Sequence, residues 1–121
     1  MVGFMDVEYP RFGTIVIDGE RYDHDVVVDH GRIRPRDKGP SRAHQSRYGH
    51  TPLSAGEDLP WSGDRLVIGT GASGRLPIMP ELYEEARVRG VEVIALPTAD
   101  VCELLAPVAD EDINAVLHVT C

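Results

Sequence analysis

Arg65-Leu66-Val67-Ile68-Gly69-Thr70-Gly71-Ala72-Ser73-Gly74-Arg75 runs from a short apolar strand into three closely spaced glycines, and the fold turns on how those glycines are read. Gly69, Gly71 and Gly74 fit G-x-G-x-x-G, the spacing of a dinucleotide-binding turn. Such a turn needs a helix opening directly after the glycines, so that backbone N–H groups and the helix dipole meet pyrophosphate, and an acid about 20 residues further on. Here Leu76-Pro77-Ile78-Met79-Pro80 intervenes, and its two prolines delay helical geometry. The next strand ends Leu96-Pro97-Thr98, with Asp100 past it. A phosphate loop fails as well: Gly69 and Gly74 have the G-x-x-x-x-G spacing, but Arg75-Leu76 stands where Lys and Ser or Thr are needed. The plainer reading is a sharp turn over the carboxyl edge of a sheet. A small-anion crevice at that edge, built from Gly69, Thr70, Gly71, Ser73, Gly74 and Arg75, is the sharper one. No cofactor is expected.

Downstream, Pro80 to Arg89 reads as a helix with Leu82, Tyr83 and Ala86 at helical spacing, Pro80 in its first turn and Gly90 as its stop. Residues 91–96 form the next strand, Thr98 caps a short helix through about Ala106, and residues 113–120 form the last strand. This β-α-β-α-β order implies parallel neighbours joined by right-handed crossovers. Upstream, Gly13-Thr14-Ile15-Val16-Ile17 precedes Asp18-Gly19 and Glu20-Arg21-Tyr22, while residues 25–29 precede His30-Gly31 and Arg32-Ile33-Arg34. These are two N-terminal β-hairpins. The fold class is therefore α/β, with a mixed sheet, in one domain spanning residues 1–121.

Residues 35–63 lack sustained periodicity, a long connection of the kind that is functional, mobile or partly helical. Leu59-Pro60-Trp61 is expected to pin its end to the core through burial of the ring. The net charge of −8 argues against nucleic acid as a partner. Between Arg32 and Arg47, however, six basic residues face only Asp37, giving that window +5 and the remainder −13. An Arg-rich loop on an acidic body is either a solvated loop or a surface that Arg42 and Arg47 offer to an acidic protein partner.

The two cysteines are too few for a disulfide framework and no secretory leader opens the chain, which points to the cytoplasm. No apolar run reaches the roughly 20 residues of a membrane span. Ser73 lacks the G-x-S-x-G context of a nucleophile elbow. His24, His30, His44, His50 and His118 form no metal-binding pair in sequence and read as surface or loop residues, so no metal is expected. Cys102, near a helix start, is either a packing residue or a thiol with a dipole-lowered pKa. Cys121 reads as a strand end, with metal binding as its alternative. Asp110-Glu111-Asp112 reads as a solvated turn.

The run Leu66-Val67-Ile68-Gly69-Thr70-Gly71, then Gly90, then Thr98 opening a helix, then Ala115-Val116-Leu117-His118-Val119-Thr120-Cys121 resembles a family of small α/β domains of unknown function from bacteria and archaea. A mitochondrial relative of that family is an assembly factor of respiratory complex I. The likeness spans residues 12–121, and its most specific pieces are the GTG loop and the closing H-x-T-C. Tyr48-Gly49-His50-Thr51-Pro52-Leu53-Ser54 is similar to one bacterial branch. The resemblance implies a three-layer domain with a central mixed sheet, helices and a small additional β-hairpin layer; it implies no activity. Where many members carry an Asn, this chain has Leu104-Leu105-Ala106.

Two functional expectations follow. The first is a non-enzymatic binding or assembly-type domain that uses the crevice around residues 69–75 and the Arg-rich loop to contact a protein or a small anion. The second is a small enzyme or redox protein using Thr70, Ser73, Cys102 or Cys121; it requires a pocket that brings one of those groups to a base.

Overall fold

Asp18-Gly19 and His30-Gly31 each turn the chain with positive φ at both residues, 51° and then 81°, the backbone of two-residue hairpin turns whose twist matches their strands. A computed structural model describing residues 3–121 places these turns in two different sheets. Strands β1 (Val7–Arg11), β2 (Thr14–Ile17) and β3 (Glu20–Tyr22) form a small antiparallel sheet in sequence order. Strands β4 (Val26–Asp29) and β5 (Arg32–Pro35) join β6 (Arg65–Thr70), β7 (Glu92–Leu96) and β8 (Asn114–His118) in a five-stranded sheet of order β5-β4-β8-β6-β7.

That larger sheet is mixed. β6 pairs in parallel with both β7 and β8, whereas β4 runs antiparallel to β8 and to β5. The crossover from β6 to β7 carries the helix Pro80–Arg89, and that from β7 to β8 carries the helix Thr98–Leu105. The first of these opens on a proline and closes on Gly90 at φ 70°, as its sequence predicts. The second differs from expectation, because Pro97 is its N-cap and no side chain caps it; the Thr98 hydroxyl is committed elsewhere.

The central strands alternate cleanly between two cores, as the two-residue period of a strand requires. Val26, Val28, Val67, Ala115 and Leu117 face one side and pack with Val101 and Leu105 of the helix 98–105 and with Val7, Ile15 and Ile17 of the small sheet. Val27, Leu66, Ile68 and Val116 face the other side and pack with Leu82 and Ala86 of the helix 80–89. Three layers result. The strand β1 is an addition to the sequence reading, and its pairing with β2 makes the small sheet three-stranded.

Residues 35–63 are ordered around this frame. They contain a 3₁₀ segment, Gly39–His44, continued by a single α-turn, Gln45–Tyr48. Leu53 and Leu59 are buried in the second core, with Trp61 packed against it and the Arg89 guanidinium 5.3 Å from the Trp61 ring centroid. No helix among the described residues is long and apolar enough to cross a membrane.

Candidate functional site

At the carboxyl end of β6 the glycines meet the protein's own chain. A Cβ on Gly71, where φ is +99°, would lie 2.5 Å from the Thr120 carbonyl oxygen and 2.6 Å from the Cys121 carbonyl carbon. One on Gly69 would lie 2.9 Å from Thr98 Oγ1. The turn's amides are engaged in the same way. Gly71 N–H donates to Thr98 Oγ1 at 2.9 Å. Ala72 N–H donates to the Thr120 carbonyl at 2.8 Å, Arg75 N–H to the Cys121 carbonyl at 2.9 Å, and Leu76 N–H to the Thr70 carbonyl at 3.1 Å. The Thr98 hydroxyl donates in turn to the His118 carbonyl at 2.7 Å. Helical geometry resumes only at Pro80. The glycines thus serve close packing of β6, the segment after β8 and the helix 98–105, and their N–H groups point at protein oxygens.

The residues expected to form an anion crevice are accordingly divided. Gly69, Thr70 and Gly71 are buried, and Ser73, Gly74 and Arg75 are exposed. Of the six, Arg75 alone lines the adjacent cavity, about 130 Å³ in volume. Its polar lining consists of Lys38, His50, Thr51, Arg75, His118 and Thr120, with Leu76, Pro77 and Cys121 completing the wall. No Asp or Glu side chain contributes to it. Its charged side chains are Lys38, whose Nζ also lies 3.6 Å from Asp25 Oδ2, and Arg75.

Behind the cavity lies a buried polar network that spacing in the sequence does not disclose. Asp25 Oδ2 is 2.8 Å from His118 Nδ1 and 2.9 Å from Arg36 Nη1, and Oδ1 accepts the Val119 N–H at 2.9 Å. Arg36 also forms a two-pronged pair with Glu57, at 2.8 Å on each prong, and donates to the Pro52 carbonyl at 3.0 Å. Ser41 donates to Glu57 at 2.5 Å and contacts Ser54 at 2.7 Å. The Arg36 and Glu57 side chains are each 1% exposed. Burial alone would raise the Asp25 pKa; the His118 hydrogen bond and charge, the Val119 amide and Lys38 outweigh it and hold the carboxyl far below the ordinary range. Burial likewise opposes the charged form of Arg36, and Glu57 and Asp25 reverse that effect.

Two expectations are corrected here, and for Cys102 the packing alternative is the one favoured. His118 is no surface histidine: it is 8% exposed, wedged between Asp25 and Thr120. The Arg-rich window is not a uniform surface patch. Arg36 is internal, and Arg34 pairs with Asp29 at 2.6 Å, which leaves Arg32, Arg42 and Arg47 exposed. Cys102 carries no thiolate character, because its half-buried position pushes the thiol up to about 11. The other histidines conform, His24, His30 and His50 being exposed and His44 half-buried. Among the described residues no group of three or more His, Cys, Asp or Glu is placed to hold a metal ion.

The signals for the network were present but indirect. Asp25 abuts Val26-Val27-Val28, and His118 sits inside the apolar run 115–119; a titratable group in an uninterrupted apolar strand must find a partner when it is buried.

Residues 7–118 match the family model described as "Protein of unknown function (DUF498/DUF598)". None of the curated proteins matches the chain. Among solved structures, a conserved hypothetical protein from Pyrococcus horikoshii OT3 is 34% identical, with a TM-score of 0.70 over 97% of this chain and 100% of that one. A protein from Bordetella parapertussis shares the fold at 18% identity, with a TM-score of 0.58 and 97% of each chain covered.

Proposed function

The chain belongs to the DUF498/DUF598 family of proteins of unknown function, and from that premise we propose that it is a binding domain whose cationic cavity takes a small anion. The observation that carries this reading is the convergence of Lys38 and Arg75 on one cavity of about 130 Å³ that no Asp or Glu side chain lines. Carboxylate or inorganic phosphate suits such a space. Arg75 offers a planar fork, Lys38 a compact charge, and Thr51 and Thr120 neutral hydroxyls. Arg75 is the one element of the crevice expected from sequence that this reading keeps; the glycine amides take no part in it.

A thermal-unfolding titration with inorganic phosphate and with acetate, at constant ionic strength, tests the reading. Ligand at 100-fold over Kd stabilises a one-site protein by about 2.7 kcal/mol. The native chain is expected to shift upward, and Arg75→Ala and Lys38→Ala to shift much less. Equal shifts in all three would refute the site.

A protein-contact reading keeps one supporting observation. Arg42 and Arg47 are both exposed, and Arg42 lies with Lys38 and Thr120 along a second depression adjoining the cavity, which Asp23, Asp25 and Asp37 also line. An acidic protein segment is the partner that such a surface would engage. Identical partner sets for the native chain and an Arg42→Ala, Arg47→Ala double variant would remove this reading.

A further inference from the structure

We propose that Thr120, His118 and Asp25 form a nucleophile–base–carboxylate triad that hydrolyses small esters bearing a carboxylate, with Thr120 Oγ1 as the attacking atom. The choice of an anionic substrate rests on the anion reading above; the triad itself does not.

The geometry supplies each role. Asp25 is buried, with one oxygen 2.8 Å from His118 Nδ1 and 2.9 Å from Arg36 Nη1, whose charge favours the carboxylate, and the other accepting the Val119 N–H. When the imidazole is neutral its single proton therefore sits on Nδ1, since a carboxylate can only accept. Nε2 is left with a lone pair, 3.1 Å from Thr120 Oγ1. The hydroxyl must then donate to Nε2, the arrangement that activates an alcohol for attack. His118 and Thr120 both line the cavity, and so do Lys38 and Arg75. Those two cations oppose the negative charge that develops on a carbonyl oxygen.

The chemistry balances with water as the only co-reactant. Oγ1 bonds to the ester carbonyl carbon as its proton passes to Nε2. The tetrahedral intermediate collapses, the bond to the leaving oxygen breaks, and that oxygen takes the proton from Nε2. Water then attacks the acyl-threonine, its proton moving to Nε2 and on to the departing Oγ1. The products are the acid and the alcohol, and the side chains return to their starting state.

The test uses the full chain with p-nitrophenyl acetate and p-nitrophenyl hemisuccinate, together with peptide mapping of the acylated protein. The native chain should hydrolyse both, the hemisuccinate faster, and carry the acyl group on Thr120. Thr120→Val and His118→Gln should each lower kcat/KM by about 10²-fold or more, while Thr120→Ser, with its hydroxyl restored, should retain turnover. Absence of hydrolysis by the native chain, native turnover in Thr120→Val, or an acyl group on Cys121 instead would overturn the triad. Thr120-dependent turnover with no loss of hemisuccinate preference in Arg75→Ala would leave the triad standing and overturn the anionic substrate class.

Discussion

Replacing Gly71 with alanine would set a methyl group 2.5 Å from the Thr120 carbonyl oxygen at a φ of +99°, a clash and a backbone strain together. A loss of about 3 kcal/mol is expected, read as a lowered denaturant midpoint at unchanged slope. Alanine at Gly13, which also has positive φ but nothing within 4 Å, isolates the strain and should cost clearly less. Asp25 makes the fold sensitive to acid. Its folded pKa lies below that of the unfolded chain, so its contribution is present above pH about 4 and is lost progressively as the pH falls toward the depressed folded value. Asp25→Asn should flatten that part of the stability profile; an unchanged profile would mean the carboxylate is not ionised in the fold. Arg36 shows why charge counting misleads at this scale. One of six basic residues in a +5 window proves to be an internal strut between Asp25 and Glu57.

Between elements, Thr98 is the junction. Its hydroxyl accepts from Gly71 at the end of β6 and donates to His118 at the end of β8, tying the helix 98–105 to two strands. Thr98→Val keeps the shape and strands a buried N–H and a buried carbonyl, at a cost of about 2 kcal/mol; midpoints equal to native would contradict the role. The elements themselves were legible where local chemistry decides. Pro80 and Gly90 bracket a helix as end signals should, and Asp18-Gly19 and His30-Gly31 adopt the turns their residue types favour. Strand β1 was not legible, since Pro10, Glu8 and Arg11 disrupt its pattern and it is held by pairing with β2 and by the packing of Val7 and Tyr9 against the first core. The site was legible only in part. Arg75 and the refusal of the glycines to cradle a nucleotide follow from neighbours in sequence, whereas Asp25 and His118 stand 93 residues apart and meet only because β4 pairs with β8.

Taken whole, the molecule places its cationic cavity where the long connection 35–63, the glycine turn and the segment after β8 come together. The sheet supplies the rigid floor, with a separate apolar core on each face. Asp25, Arg36 and Glu57 anchor the connection to that floor, so removing one partner leaves a buried charge without its mate. Arg36→Met should destabilise the whole domain by about 3–5 kcal/mol, measured as one cooperative transition by far-ultraviolet and Trp61 signals. Separate transitions would show that the connection is not part of the folded unit. The glycine turn is filled by the protein's own chain, whose oxygens take up its amides. Amide hydrogen exchange tests this most directly: Gly71, Ala72, Arg75 and Leu76 should be protected in the ligand-free protein to nearly the level of β6. Rapid exchange at those four amides, with protection appearing only when ATP or NAD is added, would contradict the account.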